Sequence, residues 1–289
     1  MIQTRLLPDG RRLHLQHGPI DLVIEAWGDA AEVRLAYGQA AAAFQTVLTD
    51  LVAELPLLRQ PLDAEPPLLR GPVARRMAAA CWPYRADFIT PMAAVAGAVA
   101  DHVLAALVEG RDLAKAYVND GGDIALHLGD GQRLTCGMVA DLRTPAIAGT
   151  IELTAAMPVR GVATSGAPTK GSGGRSFSFG IADAVTVLAE SAAAADAAAS
   201  IIANAVDLPG DVRVRRLPAA EIDPDSDLGD RLVTVEVPPL AGDDIMRALS
   251  QGLDMAEWFR AVGRIYGAVL TLQGRFVVCG EVARHSLAA

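Results

Sequence analysis

Residues 183–206 read DAVTVLAESAAAADAAASIIANAV, and this stretch decides the fold. Its first part, 183–189, is rich in β-branched residues and predicts a strand. Ser191 then precedes a run of alanines, the pattern of a capping hydroxyl at a helix start, so we expect a helix that runs to about residue 205. A strand that leads at once into a helix indicates a mixed α and β architecture.

The helix in this stretch places three polar side chains on one face. Asp196, Ser200 and Asn204 are spaced by four residues among Ala, Ile and Val. A carboxylate in such apolar surroundings is expected to be partly buried and to need a partner. Mg²⁺ would suit a carboxylate with a hydroxyl. N–H groups of a neighbouring loop would serve equally, and the residues alone favour this second interpretation.

Hydrophobic patterning along the rest of the chain predicts an α+β fold, mainly antiparallel sheet with helices on one face. Helices are predicted over 29–55, 91–109 and 242–263. Strands are predicted within 11–26, as a meander over 115–119, 123–128 and 133–139, through a strand-like 149–165, and near 212–216, 232–237, 266–272 and 275–279.

The helix predicted over 91–109 has two distinctive features. Thr90 and Pro91 give it a capping hydroxyl and a proline at its first position. Alanines and Gly97 line it, so another backbone can approach closely. We expect it to pack against the helix that follows Ser191.

The segment 118–124, VNDGGDI, separates two predicted strands. Gly121 and Gly122 would supply the positive φ of a tight hairpin turn. They would equally let backbone approach a flat or phosphorylated ligand without obstruction. The segment alone leaves both uses open, and Asn119 and Asp123 are included as candidate binding residues.

A second candidate binding segment is GVATSG at 161–166, followed by a loop rich in glycine and serine. Consecutive hydroxyls and glycines present several donors to one anion. Arg175, beside Ser176, would add positive charge for phosphate oxygens. The alternative is a surface loop over 167–174. The candidate residues of the strand are Ala163, Thr164, Ser165 and Gly166.

Composition narrows the functional classes. The 289 residues carry a net charge of −9, which disfavours a general nucleic-acid binder but leaves small phosphorylated ligands open. The first residues lack a secretory h-region, and no stretch reaches ~18 uninterrupted apolar residues. We therefore expect a cytoplasmic protein with no membrane partner, one domain over 1–289 and, since alanine-rich faces pack closely, a homo-oligomer.

The segments NDGGDI, GVATSG and ADAAAS, in this order, resemble the ApbE-like flavin transferase superfamily. Residues 89–97, ITPMAAVAG, are similar to a short cytoplasmic branch of that superfamily whose members are uncharacterised. The similarity spans about residues 72–206. It implies an α+β fold of the T-fold kind that binds FAD with Mg²⁺ and, in catalytic members, transfers FMN to a protein threonine.

The resemblance also assigns residues. Asp196 and Ser200 fall on its metal-ligand positions, and the segments 121–123 and 163–166 belong to its flavin pocket. The chain departs from the catalytic pattern, because Ala96-Gly97 stands where transferases carry Lys-Gly. It also lacks their His-x-x-Asp-Pro-x-Thr-Gly stretch. No catalytic residue is therefore assigned. Alternatives are an enzyme acting on a pterin or nucleotide in one-carbon cofactor metabolism, and a non-catalytic binding or assembly protein.

Overall fold

The computed structural model describes residues 2–141, 147–166 and 177–280. It contains helices interspersed along the chain with mainly antiparallel strands, which confirms the predicted α+β class. The strands are β1 (Gln3–Leu6), β2 (Leu13–His17), β3 (Ile20–Gly28), β4 (Leu113–Asp120), β5 (Asp123–Leu128), β6 (Arg133–Val139), β7 (Ile147–Thr154), β8 (Gly161–Ser165), β9 (Ala184–Ala189), β10 (Arg215–Pro218), β11 (Leu232–Glu236), β12 (Gly267–Leu272) and β13 (Arg275–Cys279).

Seven α-helices accompany these strands. They are α1 (Ala30–Phe44), α2 (Val47–Leu58), α3 (Pro72–Cys81), α4 (Val95–Val108), α5 (Ala192–Ala205), α6 (Ala219–Ile222) and α7 (Gly242–Ala261) within the described residues. Helix α5 begins where the serine cap predicted it, because the Ser191 hydroxyl accepts a hydrogen bond from the Ala194 N–H at 3.2 Å. Strand β1 and helix α3 were not predicted.

The chain divides into two compact units. The first comprises residues 1–134, 153–163 and 189–197. In it, β1 to β5 form an antiparallel sheet in chain order, and β8 joins β5 through the pair Ala125–Gly161. Alternate residues of β3, namely Leu22, Ile24 and Ala26, are buried in the core beneath α1 and α4. This core supports the segments that matter below.

The second unit comprises residues 135–152, 164–188 and 198–289. Its strands β9, β12 and β13 pair antiparallel, and α7 packs on β12 and β13 with Phe259 fully buried. Two short pairs, β6 with β7 and β10 with β11, complete it. Whether the chain behaves as one domain remains a prediction.

Several predicted elements need correction. The helix predicted over 29–55 is two helices, because the chain breaks at 45–46. The meander is wrong in its third strand, since β6 pairs with β7 and not with β5. The strand-like 149–165 is two strands separated by a turn, and the strand near 212–216 begins only at Arg215.

The start of α4 also differs from the prediction. Thr90 precedes Pro91 as expected, but a 3₁₀ turn over 91–94 comes first, and the Thr90 side chain makes no capping hydrogen bond to that turn. The Thr90 backbone carbonyl accepts the Ala93 N–H at 3.1 Å, which is the three-residue spacing of a 3₁₀ turn.

Two stretches, Ala30–Leu58 and Pro91–Val108, are long and apolar enough to span a membrane by composition. Half of the stretch Pro91–Val108 is buried inside the protein. A core helix satisfies the same criterion, so these stretches are weak evidence for a membrane segment.

Candidate functional site

Helices α4 and α5 approach each other at their N-terminal ends in the first unit. A side chain on Gly97 would overlap the carbonyl group of Ala192. Gly161 on β8 is similarly closed in by the backbone of Ser191. Glycine at these two positions therefore serves close approach, which confirms the predicted packing of the two helices.

Asp101 of α4 caps the N-terminus of α5. Its Oδ1 accepts the Ala192 N–H and its Oδ2 accepts the Ala193 N–H, both at 3.0 Å. The Arg76 guanidinium lies 3.9 Å from the same carboxylate. Burial raises the pKa of Asp101, while the two N–H groups and Arg76 oppose that rise. The two donors, the α5 helix dipole and the Arg76 cation thus offset part of the cost of burying the Asp101 charge.

Asp196 of α5 makes the return contact to α4. Its Oδ2 accepts the Gly97 N–H at 3.0 Å. The two contacts are reciprocal. Asp101 accepts the Ala192 N–H, four residues before Asp196, and Asp196 accepts the Gly97 N–H, four residues before Asp101. The N–H partner expected for Asp196 is present, although it comes from a helix rather than a loop.

The Asp196 carboxyl group is less well compensated than Asp101. Burial raises its pKa to about 7, the Gly97 hydrogen bond opposes this, and the negative charges of Asp120 and Asp101 add to it. Although the residue keeps some contact with solvent, protein surrounds its carboxyl group. The structure therefore brings Asp196 within electrostatic range of Asp120, which precedes the two hairpin glycines.

The hairpin between β4 and β5 uses both glycines for its turn. Gly121 and Gly122 have φ of 65° and 115°, and added side chains would meet open space. The Asn119 Oδ1 accepts the Gly122 N–H at 2.8 Å, and Asp123 pairs with Asp120 across the strands. The turn interpretation is therefore realised, and the space beside the glycines is unobstructed.

Strand β8 contributes Ala163, which is fully buried in the first unit. In the second unit, the Thr164 hydroxyl lies 2.9 Å from the Thr186 hydroxyl. Gly166 has φ 129° and no room for a side chain beside Ala184. Ser165 is partly exposed.

The remaining predicted site residues are Ser200, Arg175 and Ser176. Ser200 lies one turn after Asp196 on α5 and is partly exposed. Arg175 and Ser176 lie outside the described residues. Within the ranges described, no group of three or more His, Cys, Asp or Glu side chains is arranged to hold a metal ion. A cation at Asp196 would therefore need ligands from a bound molecule or water.

A cavity of about 290 Å³ lies elsewhere in the first unit. Residues of α2, α3 and α4, including Leu51, Val73 and His102, line it. None of the predicted site residues does. The chemistry of Asp196 therefore gives the better candidate site.

Sequence reasoning overlooked Asp101 as a functional partner. The signal was present, because Asp101 is the single carboxylate of α4, as Asp196 is of α5. The resemblance pointed only to Asp196. Applying the burial argument to both helices would have identified the pair.

Comparison with known families decides where the chain belongs. A family model described as "AbpE bacteria" matches residues 4–278. The chain belongs to this family. The match extends well beyond the 72–206 stretch that carries the motifs, so β1 to β13 lie almost wholly within the AbpE bacteria model.

Two archaeal relatives of this AbpE bacteria member bear the name UPF0280 protein. The one from Methanothermobacter thermautotrophicus is 38% identical over 125 residues, which are 43% of this chain and 45% of the relative. The one from Methanosphaerula palustris is 36% identical over 157 residues, 54% of this chain and 61% of the relative. The chain thus spans about half the length of the curated relatives it matches.

Among solved structures, this chain is similar to the Pseudomonas stutzeri flavinyl transferase ApbE in its apo form. The two are 14% identical, the TM-score is 0.44, and the match covers 98% of this chain and 94% of the other.

Proposed function

We propose that this protein binds a flavin nucleotide, FAD or FMN, or a similar phosphorylated cofactor, together with Mg²⁺ at Asp196. The observation that carries the proposal is the state of the Asp196 carboxyl group. Among the described residues it accepts one hydrogen bond, from Gly97, and burial, with a further contribution from the negative charges of Asp120 and Asp101, raises its pKa to about 7. Family membership and the order of the three motifs support it.

The charge at this point suits a divalent cation. Carboxylates that raise one another's pKa are stabilised when a positive ion lies between them. The Asp196 Oδ2 accepts the Gly97 N–H, and its Oδ1 would be the ligand. The Ser200 hydroxyl, one helical turn away, would be the second ligand. Mg²⁺ keeps several waters and shares phosphate oxygens, so a small set of protein ligands suffices.

The predicted nucleotide residues would surround the cofactor itself. Gly121 and Gly122 offer backbone to a ligand without side-chain obstruction. Thr164 and Ser165 would add hydroxyl donors, and Arg175 with Ser176 would contact phosphate oxygens. These assignments remain part of the proposal.

A bound Mg²⁺ would neutralise a pyrophosphate and stabilise a departing nucleotide. This chain has Ala96 where transferases carry lysine. The proposal is therefore cofactor binding, with FMN transfer as an activity to be assayed separately. A cytoplasmic location and a homo-oligomer belong to the same proposal, and light scattering would measure the latter.

Purified protein tests the proposal directly. Its absorbance should show carried flavin, or titration with FAD should saturate and tighten when Mg²⁺ is present. Asp196→Asn should lose the Mg²⁺ dependence, and Glu54→Gln, a distant carboxylate, should keep it. Absence of both carried flavin and saturable binding would contradict the proposal.

The two alternatives would give different results. A thermal shift with a pterin but none with FAD would favour the pterin enzyme. An Asp196→Ala variant with unchanged metal and ligand affinity would favour the non-catalytic binding or assembly protein. No contact among the described residues favours either one at present.

A further inference from the structure

We infer that Asp101 is a positioning residue, which holds the N-terminal turn of α5 so that the Asp196 carboxylate is correctly placed. This inference rests on the proposed function only for its consequence, cation binding. The geometry that carries it is a closed cycle of two carboxylates and three backbone N–H groups in the first unit.

The cycle has two symmetric halves. Asp101 on α4 accepts from Ala192 and Ala193, at the start of α5. Asp196, four residues after Ala192, accepts from Gly97, four residues before Asp101. Each helix therefore supplies a carboxylate to the other helix's N-terminal end.

The two halves are not equal in strength. Asp101 uses both carboxylate oxygens and has Arg76 within 3.9 Å, so it fixes the α5 terminus in two directions. Asp196 uses one oxygen, at Gly97. Because Asp196 lies one turn into α5, a shift of that terminus moves its carboxylate by a similar distance. Asp101 therefore sets where Asp196 lies, and Asp196 keeps an oxygen for a ligand.

Close packing gives the cycle little freedom. Gly97 contacts the Ala192 carbonyl group so closely that no side chain fits between them. Packed interiors transmit displacement rather than absorb it. Outer contacts that orient a metal ligand typically change metal affinity by about 10- to 100-fold when they are removed.

A matched pair of variants isolates this role. Asp101→Asn removes the charge and one of the two side-chain oxygens that accept backbone N–H groups. Glu54→Gln does the same to a carboxylate of similar design, which accepts the Arg70 and Gly71 N–H groups at 2.7 and 2.8 Å before α3. Both variants weaken a double backbone contact, but only Asp101 contacts α5.

Two measurements on the full chain test the inference. Amide hydrogen exchange at Gly97 reports the Asp196 contact without any ligand, and Mn²⁺ binding, followed by electron paramagnetic resonance with FAD present, reports the consequence. We expect Asp101→Asn to speed Gly97 exchange about 10-fold and weaken Mn²⁺ binding about 10-fold, and Glu54→Gln to change neither. If Asp101→Asn does not fold, Asp101→Glu replaces it, and we again expect faster Gly97 exchange and weaker Mn²⁺ binding.

The outcomes separate the two proposals. Unchanged Gly97 exchange in the Asp101 variants, or an equal change in Glu54→Gln, would overturn the positioning role. If wild-type protein binds no Mn²⁺, the proposed function fails, while the exchange result still decides the role of Asp101.

Discussion

Asp101 and Asp196 occupy equivalent places on two packed helices, yet their surroundings differ. Asp101 accepts two backbone N–H groups and lies near Arg76. Asp196 accepts one N–H group, and its neighbours in charge are Asp120 and Asp101 itself. The same residue type, buried in both helices, is thus better compensated at Asp101 than at Asp196.

This difference separates structure from function. A buried carboxylate that accepts an N–H on each oxygen and lies near a cation is better compensated and has less capacity left for a ligand. One that is buried beside like charges costs stability, and proteins retain such groups where they bind or react. We therefore assign Asp101 to the architecture of the site and Asp196 to its ligand.

Gly97→Ala should have the largest effect, because it breaks both contacts at once. The new methyl group overlaps the Ala192 carbonyl, so α4 and α5 must separate. We expect a loss of about 3 kcal/mol in the free energy of unfolding, measured with urea. Gly38→Ala is the control: Gly38 lies on α1 beside open space, and alanine there should stabilise by about 0.5–1 kcal/mol. Equal effects at the two glycines would contradict the packing argument.

Asp101→Ala should come next. It leaves the Ala192 and Ala193 N–H groups without their acceptor, so we expect a loss of about 2–3 kcal/mol by urea unfolding without added metal. Asp196→Asn, which removes a repelled charge and keeps an acceptor, should leave stability unchanged or raise it. A larger loss at Asp196 than at Asp101 would reverse the comparison.

The pH dependence of stability should differ as well. The Asp196 pKa is about 7 in the folded protein against 3.8 as the ordinary value, so the folded state holds a proton that the unfolded state releases between these values. Stability from this group is complete below about pH 4 and is lost as pH rises through 7. Asp196→Asn should gain in stability relative to wild type over that window by on the order of a few kcal/mol. Parallel pH profiles in metal-free buffer would argue against a raised pKa.

The smallest effect is expected at the hairpin that holds Asp120. Asn119→Ala removes one partly exposed hydrogen bond to the Gly122 N–H. We expect a cost of about 1 kcal/mol in thermal or urea unfolding. If Asn119 contributes only to the turn, cofactor affinity should change no more than stability does, and a selective loss of affinity would show direct ligand contact.

Much of this architecture followed from local patterns. The strand and serine-capped helix over 183–206, the glycine turn at 121–122 and the class of fold depend on neighbours in sequence, which the sequence displays. The pairing of β6 with β7 does not, because strand partners are chosen by long-range contacts. The 3₁₀ turn after Thr90 was missed because a proline start does not specify which helix type follows.

The site was predictable only in part. Asp196 stood out as a carboxylate among alanines, and Gly97 as a point of close approach. The contact between these two residues, and the contact of Asp101 with α5, depend on how α4 packs against α5. These helices are far apart in sequence, since Asp101 and Ala192 are separated by 91 residues. The local sequence around these residues does not specify such long-range packing.

We expect Asp196 to be destabilising until a cation binds. Thermal unfolding of wild type and Asp196→Asn at pH 8, with FAD present and with or without Mg²⁺, tests it most directly. We predict that Asp196→Asn melts at the same or a higher temperature without Mg²⁺, and that Mg²⁺ raises the melting temperature of wild type by several degrees, by roughly 2–4 °C per kcal/mol of binding, and leaves the variant unchanged. Equal responses of the two proteins to Mg²⁺ would contradict the claim.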